Sequence, residues 1–245
     1  IHERLGIAAQ VEQLGRRMIR DHLPEQHQKL YSQLPYLVVG SSDANGQPSA
    51  SLLAGSAGFI GSPNSKSMTI DTTPFPGDLL NGNLEIGATI GLLGIDLSTR
   101  RRNRANGRVN HISESNRGFA LTIDQAFGNC PQYITQRHIA TATERMTAGP
   151  WDQPLTKNYL SVSDELMIRS ADTFFIASHR AGSVDEPANG TDVSHRGGEA
   201  GFITVENTTT LTIPDYAGNM HFNTLGNLSE NPLAGLLFID FKTGD

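Results

Sequence analysis

Two short stretches collect most of the side chains in this sequence that could hold an anion. The first is Asp192-Val193-Ser194-His195-Arg196-Gly197-Gly198, and the second is Gly218-Asn219-Met220-His221-Phe222-Asn223-Thr224. A phosphate or carboxylate needs cationic or hydroxyl donors together with free backbone N–H groups, and the start of a helix supplies the latter. Asn223 and Thr224 stand where a helix is expected to begin, so they either cap it or bind the anion. If residues 191–196 are extended, Ser194 and Arg196 project to one face, because strand side chains alternate. Gly197 and Gly198 let a ligand approach the backbone. Each feature has an ordinary alternative: a cap for Asn223, a surface ion pair for Arg196. Taken together the set points to a phosphate-bearing ligand, with Ser194, His195, Arg196, Gly197, Asn219, His221, Asn223 and Thr224 as candidate contacts. His195 and His221 are also the candidates for proton transfer.

The elements that must position these residues are announced by a repeat. GLLGID at 91–96 returns as GLLFID at 235–240, an offset of 144 (235 − 91). GSAGFI at 55–60 returns as GEAGFI at 198–203, an offset of 143 (198 − 55), and Met68-Thr69-Ile70 returns at that same offset as Leu211-Thr212-Ile213. Gly82-Asn83-Leu84 returns as Gly226-Asn227-Leu228, and YLVVGSSDANG at 36–46 looks like FFIASHRAG at 174–182 with an offset nearer 137. A longer hairpin loop in the second copy, SVDEPANGT, accounts for the difference, since it is rich in turn formers. Four anchors in one order read as a tandem duplication.

Each copy is expected to be β structure. Tyr36–Ser41 and Ser49–Leu53 bracket Asp43-Ala44-Asn45-Gly46, where Asn-Gly signals a hairpin. Residues 101–112 and 118–125 continue the first copy; residues 202–205, 209–213 and 234–241 continue the second. A short helix is expected before each GLL phrase, over 79–86 and 224–230. Many short strands with one small helix suggest a barrel. Other helices are expected outside the copies, over 8–22, 24–33, 131–137 and 154–167, as core or interface helices. The domain reading is a helical segment at 1–34, a first barrel at 35–126, a helical connection at 127–172 and a second barrel at 173–245.

The copies differ where the chemistry lies. Opposite His195-Arg196 the first copy has Leu52-Leu53, and opposite residues 218–224 it has Phe75-Pro76-Gly77-Asp78-Leu79-Leu80. The ligand is therefore expected in the second copy.

Bulk properties exclude several classes. With 245 residues, 37% apolar and 18% charged, the chain is an ordinary globular sequence. A net charge of −6 argues against nucleic-acid binding. No apolar run approaches the roughly 20 residues that span a bilayer, so no membrane partner is expected. A single cysteine, Cys130, rules out an intrachain disulfide and fits a cytoplasmic setting. It precedes Pro131 near an expected helix start, and reads as a buried structural thiol, with a place near the ligand as the alternative. Arg100-Arg101-Arg102-Asn103-Arg104 reads as a solvated strand face; the sharper alternative is that alternate arginines reach the ligand across an interface. There is no zinc spacing, no G-x-S-x-G elbow and no G-x-G-x-x-G or Walker pattern, so no metal site is expected.

DVSHRGGEAGFITV, TLTIPDYAGN and NTLGNLSENPLAGLLFID resemble the pyridoxamine 5′-phosphate oxidase-like, FMN-binding split-barrel proteins. SLLAGSAGFI, GLLGIDLSTRRRNRANGRV and FGNCPQYI look like the first barrel of two-barrel members. The likeness covers most of residues 35–138 and 173–245. It implies a mainly β fold with peripheral helices, built as tandem FMN-binding split barrels, with FMN at the barrel–barrel interface. Carried across by position, it implies contacts from Ser194, His195, Arg196, Asn223 and Thr224. The family's oxidases usually present Arg-Lys at the helix start where this chain has Asn-Thr, so phosphate charge rests more on Arg196 and backbone amides. The function implied is an FMN-dependent oxidoreductase. The alternatives are a non-enzymatic carrier of FMN, deazaflavin or haem, and a scaffold that binds no flavin. The partners implied are a small-molecule redox substrate or electron donor, a second copy in a homodimer, and a reductase module beyond residue 245.

Overall fold

The structure is a computed structural model that describes residues 1–114, 117–138, 154–183, 186, 188–218 and 221–243. It is mainly β with a few helices. The first half carries α1 (Ala8–Met18), α2 (Glu25–Gln33), β1 (Tyr36–Ser42), β2 (Pro48–Ala54), β3 (Ile60–Asn64), β4 (Ser67–Ile70), α3 (Leu80–Asn83), β5 (Thr89–Asp96), β6 (Arg101–Ile112) and β7 (Phe119–Gly128). The second carries α4 (Val162–Ser170), β8 (Thr173–Arg180), β9 (Gly190–Gly197), β10 (Thr204–Asn207), β11 (Thr210–Thr212), α5 (Asn223–Glu230) and β12 (Ala234–Leu237).

Local chemistry explains the first hairpin. The Asp43 carboxylate accepts hydrogen bonds from the backbone N–H groups of Asn45 and Gln47, and Gly46 takes φ +78°. That conformation costs a glycine little. β1 and β2 then pair antiparallel from Tyr36–Ala54 to Ser42–Pro48. The seven-stranded sheet runs β2-β1-β5-β6-β7-β4-β3, and the second half forms a three-stranded sheet, β12-β8-β9, with β10–β11 as a separate hairpin.

Alternation along β1 divides its side chains between two cores. Leu37 and Val39 join residues from all seven strands, among them Leu53, Ile60, Met68, Ile90, Val109 and Leu121, so the sheet curls around one apolar centre. Tyr36 and Val38 point the other way and meet Leu52, Leu93, Phe175 and Val193, a second core shared between the halves. Phe174 and Ile176 of β8 face a third, with Ile168, Ile203 and Val205.

The two halves have corresponding geometry. In the order β2-β1-β5, Val39 lies opposite Leu92; in β9-β8-β12, Ile176 lies opposite Leu236. The Asn83 amide donates to the Ser41 hydroxyl at 2.9 Å, and the Asn227 amide donates to the Ser178 hydroxyl at 3.0 Å. The contact between halves is reciprocal as well. A Cβ added to Gly91 would lie 2.8 Å from the Asp192 Cα, and one added to Gly235 would lie 2.6 Å from the Ser49 Cα. Patches that meet each other's counterpart are the mark of a two-fold, isologous contact.

Some expected helices are shorter or missing. α1 ends at Met18, because Arg20 leaves the helix to bridge Ala126 of β7. α3 has four residues, closing where Leu84 turns extended. Residues 131–137 form no helix: Tyr133 takes φ +63°, and Ile134 is drawn into the core between the halves. In the stretch 154–167 only the part from Val162 is helical, starting at a Ser161–Asp164 capping box. Residues 139–153 of the expected connection lie outside the described residues.

The glycine contacts carry a test. Gly91→Ala is expected to destabilise the fold by about 1–3 kcal/mol, as overpacking does. Gly82→Ala, in α3 with open space around it, is expected to be neutral or stabilising by up to about 1 kcal/mol. Urea unfolding midpoints of the two variants check the contrast.

Candidate functional site

β9 and the start of α5 bring together seven of the eight expected site residues in one cleft: Ser194, His195, Arg196, Gly197, His221, Asn223 and Thr224. Asn219 lies outside the described residues. Ser194 faces Thr224, hydroxyl to hydroxyl at 2.8 Å. Arg196 donates to the Asp215 carboxylate at 3.1 Å, so the ordinary ion pair does form, at the cleft wall. The capping expectation fails: α5 begins after Phe222, which sits in the left-handed region at φ +52°, so Asn223 is not its N-cap, and Phe222 has no side-chain oxygen to cap it. Among the described residues no side chain caps its first N–H groups.

The arginine run behaves differently from the default reading. Arg101 is exposed, but Arg102 and Arg104 turn from β6 toward β9. Arg104 donates to the Asp192 carboxylate at 2.9 Å and also to the Ser194 hydroxyl, while Asn106 donates to the other Asp192 oxygen at 3.3 Å. Side-chain exposures of 9% and 6% make Arg104–Asp192 a buried pair. Arg102 donates to His195 Nδ1 at 3.1 Å. Strand alternation puts Arg102, Arg104 and Asn106 on one face; only the fold shows that β9 covers that face.

Arg102 is the unbalanced charge. Arg104 has Asp192 and Arg196 has Asp215, whereas no carboxylate pairs with Arg102 among the described residues. Burial first, then the neighbouring Arg104, lowers its pKa to about 10, and it remains charged at neutral pH. Three arginines against two aspartates leave the cleft cationic.

His195 is fixed in one form. It is 5% exposed, and burial, reinforced by Arg102, Arg137, Arg196 and Arg104, lowers its pKa to about 3. Neutral at physiological pH, it must accept at Nδ1 because Arg102 can only donate, so the proton sits on Nε2. That Nε2 is buried and has no hydrogen-bond partner among the described residues, as is true of the Arg102 and Arg104 Nε atoms. Burial also lowers the His221 pKa. His195 is therefore a fixed donor and not a proton shuttle, contrary to its candidacy for proton transfer.

The sequence did not single out Tyr133, Phe127 or Tyr216. Tyr133 stacks on Tyr216 at 5.4 Å and donates to the Ala217 carbonyl, and Phe127 lies under the Arg104 guanidinium at 5.7 Å. Cys130, expected to be buried, is exposed and lines the cleft. No helix follows Pro131 to cover it. The cavity measures about 120 Å³, well below the roughly 300 Å³ at which pockets for whole small molecules begin.

In the first half the same position is closed. Ser51, which stands where Ser194 does, donates to the Asp78 carboxylate at 2.6 Å, and Asp78 also accepts from the Leu80 backbone N–H at 2.7 Å. A resident carboxylate thus occupies the start of α3. No group of three or more potential metal ligands is found among the described residues, and none of their helices is long and apolar enough to cross a membrane.

No protein-family model and no curated protein matches the chain. Among solved structures, a candidate pyridoxamine 5′-phosphate oxidase of Lactobacillus delbrueckii is similar at 16% identity, over 44% of this chain and 95% of its own, with a TM-score of 0.35. HupZ of Group A Streptococcus is similar at 13% identity, over 43% of this chain and 93% of its own, also with a TM-score of 0.35. Likeness at this level transfers no residue role or ligand.

Two measurements test the electrostatics. Arg104→Met is expected to cost about 3–5 kcal/mol of stability, because Asp192 is left buried and uncompensated. Adding Asp192→Leu should recover most of that loss in urea titrations. His195 has its pKa depressed below the ordinary 6.5, so the unfolded chain takes up its proton first as pH falls. Stability is expected to decline between about pH 6.5 and pH 3, and His195→Gln should flatten that decline.

Proposed function

We propose that the cleft binds the phosphate of FMN, and that the chain is a flavoprotein and an FMN-dependent oxidoreductase. The observation that carries this reading is Arg102, a half-buried cation with no carboxylate partner among the described residues, beside a His195 Nε2–H that none of them accepts. A charge partly withdrawn from water in this way is stabilised by an anionic ligand. The donors suit a phosphate: the hydroxyls of Ser194 and Thr224, the guanidinium groups, the imidazole N–H and the uncapped start of α5. The sequence resemblance names FMN among phosphate-bearing ligands. A cavity of about 120 Å³ suits the phosphate end, and the ring would then lie toward the open mouth near Tyr133, Tyr216 and Phe202.

FMN, when bound, supplies hydride or electron transfer. The chain's own part is binding and shielding. Arg102, Arg104 and Arg196 would hold negative charge, His195 Nε2–H would donate to an acceptor atom, and the stacked Tyr133 and Tyr216 would offer an aromatic surface beside it. The haem alternative suits His195 poorly, because Nδ1 accepts from Arg102 and Nε2 already carries a proton. The reciprocal Gly91–Asp192 and Gly235–Ser49 contacts support two related split barrels, 35–126 and 173–245, joined by 127–172 and preceded by 1–34. The pair would stand as an internal dimer with one ligand site.

Flavin fluorescence titration tests the reading. FMN is expected to bind and riboflavin, which lacks the phosphate, to bind far more weakly. Arg102→Met should weaken FMN binding about 10- to 100-fold, the range of a lost hydrogen bond to a charged group, and Arg101→Met should leave it unchanged. Equal binding of FMN and riboflavin would refute the phosphate assignment. NAD(P)H-driven turnover, or rapid reoxidation of the reduced protein by oxygen, separates an enzyme from a carrier.

A further inference from the structure

Cys130 is the chain's only cysteine, it is exposed, and it lines the cleft that also holds Arg102, Arg104, Arg196 and the unpartnered His195 Nε2. Its backbone neighbour Asn129 donates to the Arg102 carbonyl, which ties the thiol's segment to β6. The thiol and the Arg102 guanidinium are close enough to interact electrostatically. A nucleophile of this kind meets reagents at the local concentration set by the surrounding charge, and a cationic, low-dielectric cleft concentrates anions.

We propose that Cys130 is a thiol-modification site selective for small anionic disulfides, those that carry carboxylates. The thiolate of Cys130 attacks one sulfur of the disulfide; the S–S bond breaks, and the other half leaves as a thiolate. The Cys130 proton goes to solvent. Cys130 is oxidised to a mixed disulfide, and one half of the reagent is reduced to a free thiol. The thiolate is the attacking species, and its access sets the rate together with the approach of the reagent. The attached carboxylates would then lie against the arginines and occupy the anion position. The inference uses the cation excess of the cleft and not the identity of the ligand that the cleft holds.

Intact-mass measurement of the whole chain is unambiguous, because one cysteine gives one adduct. The probes are glutathione disulfide, which is anionic, and hydroxyethyl disulfide, which is neutral. The reference is the ratio of their rates with the same chain unfolded in urea. The folded protein is expected to favour the anionic disulfide over that reference by about tenfold or more, the lower end of electrostatic enhancement in charged clefts. Cys130→Ser should take up neither. Arg102→Met should reduce the preference, and raising the salt should do the same in the unaltered protein, which keeps the test valid if that variant folds poorly. A folded ratio equal to the unfolded one, or a preference that neither salt nor Arg102→Met changes, would overturn the proposal. If the preference holds while FMN fails to bind, the FMN reading falls alone; if FMN binds and the preference is missing, this inference falls alone.

Discussion

The buried pair of Arg104 and Asp192 is the interaction on which the site depends. It joins β6 of the first half to β9 of the second, and it is almost closed to solvent. Removing two charges from water is costly, and their attraction offsets that cost only when the remaining polar atoms are satisfied. Here they largely are: Asn106 donates to the second Asp192 oxygen, and Arg104 also donates to Ser194, which meets Thr224 at the start of α5. One network therefore sets three things at once: the approach of the two sheets, the position of the uncapped helix, and the inward turn of the β6 arginines. The close contact at Gly91 is what permits the approach, because any Cβ there would strike the Asp192 backbone.

The same frame has opposite chemistry in its two halves. Ser51 and Ser194 hold corresponding places, and each faces the start of a short helix. In the first half the chain supplies its own anion, Asp78, which satisfies both the serine and the helix N–H. In the second half Thr224 stands near that position and adds no charge. A carboxylate at the first position would repel a phosphate; a hydroxyl at the second admits one. Paired with Leu52 and Leu53 in place of His195 and Arg196, this leaves the first half closed by its own carboxylate and the second half lined by donors.

The residues that could be placed from sequence were those governed by local rules. Asn45-Gly46 marked the first hairpin because only a few residues tolerate its conformation. The offsets between GLLGID and GLLFID anticipated strands that occupy corresponding places, since Leu92 and Leu236 sit opposite Val39 and Ile176. What escaped was set by packing. Alternation puts Arg102 and Arg104 on one face of β6, but whether water or β9 covers that face is decided 88 residues away in sequence (192 − 104). Residues 131–137 have helical composition in part, yet Tyr133 takes a positive φ and stacks on Tyr216. Cys130 then loses the helix that would have buried it.

The cleft's charge separates two roles that a histidine in such a place could fill. A proton shuttle needs a pKa near the working pH, so that both forms are populated. His195 has been carried far from that range by burial and by four surrounding arginines. The arginines that make the cleft cationic thus add to burial, the larger cause, in removing His195 from acid–base work. Arg102 goes further, because by donating to Nδ1 it fixes the tautomer and leaves Nε2–H as a donor of fixed direction. A bound anion would soften the first effect by screening the arginines, while the hydrogen bond from Arg102 would still dictate the tautomer. On the proposed reading, such a cleft would offer a bound anion charge and a donor of fixed direction, and the reactivity would come from the ligand.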